Sequence, residues 1–535
     1  YAVIVSFILA ESLDKMRDLS GKELGIMTAI TGLYGLVNVF SDKLFVPSIY
    51  GAFGLLAATL IMLFLLNSDK ITFSKKQFRG IVLGMTALVI FLNAKWFITS
   101  GDDSYTHLDT YVSAGDSKKK ISGTALKHLD EVPGADTDEF YRSTNLVTTG
   151  NLRSSSLLYG YNDVSTFSST LNGGIVNYNN AMGNCRWNIV SIYDYNFRTY
   201  LNTLASVKYM GVAKKNTATI PYGYKKVQET KDKYYSIYEN QYSLPLGYTY
   251  DKIVNADRID QYSAAEKQET TMLAAVVEDK DMDKNSNLTV AEKLPLTAQK
   301  LKIKNIKLNG VSMTKDTIEI EKPGATMKFS FEAPANAETY LSLVGDIYAE
   351  KDAKEHFIIA RIKAPGVKYV HKFRIDAYTT GQKEYLFNLG YREGTVKTCT
   401  LKFVGTGTLK YKDLAIYSQT MSNYADRVNA LKENSLQNAK AEKNTVTGNI
   451  TVDKDKMLVV TLPYQKGWTA YVDGKKTDIQ RVNYQYIGIN LKKGTHDIKL
   501  HYQLPGIKLA FMITGCGIIV FVAIIIFNIV IFKLF

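Results

Sequence analysis

Cysteine and histidine are scarce here: three of one and six of the other in 535 residues. Cys516 lies in an apolar run, and Cys185 and Cys399 are far apart in sequence. An external domain of this size held by disulfides normally carries more, so the cores must be large enough to stand alone. A single Cys185–Cys399 bridge is the one alternative left open. No CxxC or His/Cys cluster occurs, which argues against a structural zinc site. Six scattered histidines leave His-based catalysis unsupported, and no Ser-His-Asp signature, P-loop or GxGxxG-plus-strand pattern appears. The chain also lacks an initial Met and a signal-peptide n-region, opening at Tyr1 inside an apolar run. It reads as a fragment preceded by further membrane helices.

A long basic stripe is missing too. The net charge is +14, but the lysines are interleaved with Asp and Glu. That pattern excludes nucleic acid as a partner, and Lys118-Lys119-Lys120 reads as a solvated loop. A basic outer domain favours, if anything, an anionic envelope polymer. Mean hydropathy is −0.10, near zero because membrane helices and a polar outer domain cancel.

What the chain does have is long apolar runs. Gly80–Ile98 is apolar until Asn93 and Lys95, and about 18 such residues span most of a hydrocarbon core of roughly 30 Å. Trp96 suits the aromatic belt, and Lys95 can snorkel. The preceding loop, Asn67–Arg79, holds Lys70, Lys75, Lys76 and Arg79 against Asp69. The positive-inside rule makes it cytoplasmic and places everything after Thr99 outside. Further crossings are expected at 1–10, 24–40 and 44–66, with a C-terminal one at 507–532. The fold expected is a polytopic α-helical membrane protein with a large extracytoplasmic α/β plus β-sandwich domain and a C-terminal transmembrane helix.

Within the outer part, 99–300 reads as mixed α/β, including a helix over Ala264–Val277. Period-two runs such as ATMKFSFEA and KTCTLKFVG fill 301–420 and indicate a β-sandwich. Residues 421–444 read as an amphipathic helix with Tyr424, Val428 and Leu431 at i, i+4 and i+7, then a linker. Residues 445–506 form a second β domain with an Asp473-Gly474 turn. Leu504-Pro505-Gly506 joins it directly to the last helix.

Two stretches could carry chemistry. Asp281, Asp283, Asn285, Asn287, Thr289 and Glu292 fall at calcium-loop positions 1, 3, 5, 7, 9 and 12. Ser286 replaces the usual Gly and Pro295 blocks a long exiting helix, so a solvated polar connector is the preferred reading. Between Phe140 and Val212, Arg142, Asn145, Asn151, Arg153, Tyr159, Tyr161, Asp163, Asn172, Arg198 and Tyr200 crowd together. Guanidinia, amides and tyrosine rings are the groups that pair with phosphates, bond hydroxyls and stack on sugar faces. An ordinary Tyr/Asn-rich surface is the competing reading.

FYRSTN (140–145), LLYGYNDVSTFSSTLN (157–172), SVKYMGV (206–212), YENQYSLPLGY (238–248) and PYQKGWTAYVDGKK (463–476) together resemble the bacterial YfhO membrane protein family. LKKGTHDIKLHYQLPG (491–506) resembles that family's C-terminal end. The resemblance covers the whole chain in order. It implies a GT-C type glycosyltransferase that takes a sugar from a polyprenyl-phosphate carrier at the outer leaflet and decorates an envelope polymer such as lipoteichoic acid. The catalytic carboxylate of such enzymes is expected upstream of Tyr1, so no residue here is assigned to catalysis. The substrate-binding candidates are Arg142, Asn151, Arg153, Tyr159, Tyr161, Asp163 and Arg198, with Arg142 and Arg198 placed on the carrier phosphate and the two tyrosines on a sugar ring. No particular cofactor is implied, and a divalent cation is left open. The partners implied are the bilayer, the lipid-linked sugar and the anionic polymer. A non-enzymatic wall-binding protein is the alternative. A transporter is disfavoured because the cores of 24–40, 44–66 and 507–532 lack ionisable residues.

Overall fold

The computed structural model describes residues 19–40, 47–67, 74–98, 125–135, 137, 139–146, 154, 156–214, 220–231, 234–345, 357–374 and 381–534. The chain divides into two compact units, Tyr1–Lys120 and Ile121–Phe535, each taken here by itself.

In the first unit, helices run over Gly21–Phe40, Pro47–Asn67 and Lys75–Ile98. Two start on reciprocal caps. Ser20 Oγ accepts from the Glu23 backbone while Glu23 accepts from the Ser20 N–H at 2.8 Å, and Ser74 and Gln77 repeat the arrangement. Each cap satisfies two backbone donors that the helix itself leaves open. The second cap starts the helix earlier than the apolar run suggested. Lys75, Lys76 and Arg79 therefore ride on its first turns instead of lying in a loop. Gly35 lets the first two helices touch, since a Cβ there would lie 2.7 Å from the Phe53 ring. Leu24, Leu60, Leu63 and Phe78 form a small core, while Leu83 is 74% exposed.

The second unit is mostly β. Arg142–Leu146 runs parallel to Val207–Ala213, which continues into the antiparallel strands Tyr235–Asn240 and Tyr224–Glu229. Residues 299–420 supply two antiparallel sheets of four and five strands that share one core, including Phe329, Leu341, Phe387 and Phe403. Along Thr326–Ala333 burial alternates strictly, as the period-two pattern of its sequence requires. Cys185 and Cys399 both lie in this core as free thiols, so the bridge left open is not formed. Burial pushes the Cys399 thiol up to about 12.

Several boundaries differ from expectation. The helix over 264–277 stops at Leu273, after a Ser263–Glu266 capping box, and Ala275–Val277 is a strand. The amphipathic helix is Tyr424–Lys432, and Gln437–Glu442 is already a strand. Nor is 445–506 a separate β domain. A seven-stranded sheet pairs Lys456–Pro463 with Gly247–Tyr250, and Gln480–Val482 with Ala275–Val277. Strand pairing over some two hundred residues leaves no local signature in the sequence.

Among the described residues, Ile507–Phe527 is the one segment long and apolar enough to cross a membrane, and Leu56–Leu65 is a shorter apolar stretch. The polytopic helical part of the expected fold is thus not established by the structure. The last strand, Gly494–Tyr502, reaches the helix Ile507–Leu534 through residues 503–506. That junction is braced. Gln503 N–H donates to Gly467 O at 3.0 Å, Asn444 exchanges two hydrogen bonds with the Tyr502 backbone, and the Trp468 and Tyr502 rings lie 5.2 Å apart.

Candidate functional site

The segment Glu139–Arg142 leads into the edge of the first sheet. Arg142 turns inward there. Its Nη1 donates to Ala205 O and Thr461 Oγ1, both at 3.0 Å, and its Nη2 donates to Thr461 O at 2.7 Å. The guanidinium also sits 4.9 Å from the centre of the Phe140 ring. Arg142 therefore clamps the first sheet to the strand Lys456–Pro463.

Arg198 is fully buried. Its Nη1 donates to Gln268 Oε1 at 3.3 Å, while Nε and Nη2 have no hydrogen-bond partner. Gln268 in turn donates to Tyr340 Oη and Gln419 Oε1. Nearby Glu338 accepts from Asn388 Nδ2 at 2.7 Å and from the Thr199 N–H, and burial pushes its carboxyl up to about 7. Beside this layer the buried pair Arg427–Glu269 closes at 2.5 Å, with Glu269 also accepting from the backbone of Thr297 and Ala298. These polar groups fix the helix Ala264–Leu273 against the four-stranded sheet of 299–420.

The remaining expected residues do not converge on one surface. Tyr159 ends a short helix, Gly160 takes a left-handed φ of +72°, and Tyr161 packs toward Leu126 and Leu129. Tyr159 thus belongs to the short helix and Tyr161 to the core that Leu126 and Leu129 build. Asp163 accepts from the Ser165 N–H at 3.0 Å and from its hydroxyl at 2.7 Å, and burial pushes its carboxyl up to about 6. Asn172 caps the helix Gly173–Ala181 and donates to Tyr464 O at 3.2 Å. Tyr200 is buried edge-on against Tyr424. Asn151 and Arg153 lie outside the described residues.

The calcium-like stretch is not a free connector. Asn285 is fully buried and exchanges amide hydrogen bonds with Gln480 at 2.9 Å in both directions. Asp281 pairs with Lys284 at 2.6 Å, and Asn287 donates to Asp455. Among the described residues, no three of His, Cys, Asp and Glu gather as a metal site.

A cleft of about 410 Å³ opens beside Phe140 and Tyr141. Glu139, Lys208, Glu239 and Lys432 contribute charge to its walls, and the buried Leu244, Leu246 and Leu436 lie beneath. Lys208 and Glu239 stand on adjacent antiparallel strands, where Tyr209 pairs with Glu239, and Lys432 ends the helix Tyr424–Lys432. The Lys208 ammonium lies 5.5 Å from the Tyr141 ring and 5.3 Å from the Tyr209 ring. Burial pushes the Lys432 ammonium down. Among the described residues, none of these four charges sits in an ion pair. Asn240 stiffens the wall by donating to Thr203 Oγ1 and Val207 O, both at 3.0 Å.

Sequence reasoning passed over Lys208, Glu239 and Lys432, although the signal was partly there. FYRSTN, SVKYMGV and YENQYSLPLGY supply Phe140, Tyr141, Lys208 and the loop Glu239–Leu246, and they meet at this cleft. A family model described as "Bacterial membrane protein YfhO" matches residues 1–514. The chain belongs to the YfhO family. It is 25% identical to the YfhO protein of Bacillus subtilis (strain 168), over 96% of this chain and 58% of the relative. The chain thus spans rather more than half the length of that protein. Among solved structures, the mycobacterial arabinofuranosyltransferase AftD aligns over 88% of this chain and 56% of its own, at 9% identity and a TM-score of 0.22. The C-terminal CBM6 of LamC, a laminarinase from Zobellia galactanivorans, aligns over 23% of this chain and 99% of its own, at 10% identity and a TM-score of 0.17. Scores this low establish neither a shared fold nor a shared chemistry.

Proposed function

We propose that this chain is the greater part of a multi-pass membrane glycosyltransferase. In this reading the whole protein moves a sugar from a polyprenyl-phosphate carrier to a cell-envelope polymer such as lipoteichoic acid, and the β-rich unit faces outward. The observation that carries the reading is the convergence of three family-like motifs on one polar, aromatic-walled cleft, in a body joined through residues 503–506 to a helix long enough to enter the bilayer. Such a body keeps a sugar-handling surface within reach of a lipid-linked donor. In the reaction the acceptor hydroxyl attacks the anomeric carbon, the carrier phosphate departs with the bonding electrons, and a carboxylate takes the hydroxyl proton. No residue of this chain is assigned that role. A divalent cation could assist the departing phosphate, but no group of residues described here is assigned to hold one.

The test uses the full-length protein in vesicles with a radiolabelled polyprenyl-phosphate sugar and purified lipoteichoic acid. Transfer of label to the polymer is the expected result. Polymer retention without transfer would replace the reading with its alternative, a non-enzymatic membrane-anchored carbohydrate-binding protein.

A further inference from the structure

The charge of the cleft argues about its ligand. Two carboxylates and two ammonium groups line it, so its walls sum to zero on a chain whose net charge is +14. A phosphate site would gather cations and exclude Glu139 and Glu239. The two guanidinia best suited to a phosphate are occupied elsewhere, Arg142 on Thr461 and Ala205, and Arg198 inside the core. A sugar or polyol hydroxyl makes the opposite demand, because each donates one hydrogen bond and accepts others. Carboxylates take the donated proton, ammonium groups and amides fill the lone pairs, and Gln241, Ser243 and Gln437 add such groups to the walls. Phe140 and Tyr141 present aromatic surface for the C–H face of a ring. The volume falls within the roughly 300–1,000 Å³ of small-molecule sites. Gln241 Nε2 donates to Glu239 Oε2 at 3.4 Å, so a carboxylate and an amide already stand together in the wall as an acceptor and donor for one hydroxyl.

We infer that the cleft between Glu139–Tyr141, Lys208, Glu239 and Lys432 binds an uncharged glycosyl or polyol unit of the acceptor polymer, and not the phosphate of the lipid carrier. The inference rests on the reading that this protein handles envelope sugars, and it names which part of the substrate the cleft takes. Glu239 and Lys432 act as the anchoring donor–acceptor pair, holding the ring while the reaction proceeds elsewhere on the whole protein.

The experiment uses the purified full-length protein in detergent, with binding followed by isothermal titration and saturation-transfer NMR. Methyl glucoside, methyl galactoside and N-acetylglucosamine are the neutral probes, and inorganic phosphate and glycerol 1-phosphate the charged ones. The expected result is saturable binding of at least one neutral probe, weakened about tenfold or more in both E239Q and K432M, with thermal melting unchanged. Inorganic phosphate should not displace it, whereas glycerol 1-phosphate competes only through its polyol part. E139Q provides a third variant in the same wall, should either of the others lower protein yield. Three results would overturn the inference: no neutral probe binding, displacement by inorganic phosphate, or wild-type affinity in all three variants. The transferase assay separates the two readings. Neutral-probe binding lost in the variants, in a protein that transfers no sugar, sinks the transferase and keeps the cleft. Normal transfer with unchanged affinity in every variant sinks the cleft alone.

Discussion

Replacing Arg142 by alanine would remove three hydrogen bonds at once and leave Thr461 O and Ala205 O without this donor. A buried acceptor left unsatisfied costs about 1–3 kcal/mol, so R142A should lower membrane abundance and melting temperature. R142K should restore little of either, since an ammonium lacks the fork that reaches both sites. Quantitative blotting beside a glycosylation assay checks this, and normal abundance with lost glycosylation would return Arg142 to a substrate role. Glu338 gives a pH prediction. Its folded carboxyl titrates near 7 against an ordinary 4.5, because burial disfavours the charge. The folded state therefore holds the proton more tightly, and the stability this confers is complete below about pH 4.5 and lost as pH rises through about 7. The difference is on the order of 3 kcal/mol. E338Q should remove that slope, and thermal melts of both proteins across pH 4.5 to 8 should converge at the acid end. Parallel curves would contradict it. Neither arginine's setting could be read from sequence, because a guanidinium in a Tyr/Asn-rich segment has the same neighbours along the chain whether it faces water or a core.

At the scale of elements, alternation was legible and pairing was not. The run ATMKFSFEA declares its strand because a period of two is local, and the paired positive φ values of Asp473 and Gly474 are the hairpin turn those residues favour. The seven-stranded sheet, by contrast, draws neighbours from either side of the intervening stretch 291–455. The cleft was hidden for the same reason, with Lys208, Glu239 and Lys432 supplied by three separate elements. The calcium-like stretch was misjudged as a solvated connector because its spacing says nothing of the Gln480 amide it meets. Here N285A should cost about 1–3 kcal/mol by stranding that amide, whereas the exposed D283A should stay within about 0.5 kcal/mol. Added calcium should not move the melting temperature. A calcium-dependent shift abolished by D281A with D283A would restore the ion-binding reading.

For the whole molecule, the function proposed above requires residues 99–505 outside the cell and 67–79 inside, as the positive-inside rule expects of a lysine-rich loop. Single cysteines introduced at Lys118 and Lys75, in a background lacking the native three, test this in intact cells. A membrane-impermeant thiol reagent should mark the first without permeabilisation and the second only after it. The reverse pattern would invert the protein.

Gly467 has φ +110°, and a Cβ there would lie 2.4 Å from Gln503 O. The turn that holds the last strand beside the helix thus admits no side chain. In the function proposed above, so short a coupling to the membrane helix would make the body less a flag on a cord than a gauge, its working edge held near one elevation and serving polymer that threads past at that level. Lengthening residues 503–506 with a flexible insert would then blur where along the polymer modification falls before it diminished how much occurs.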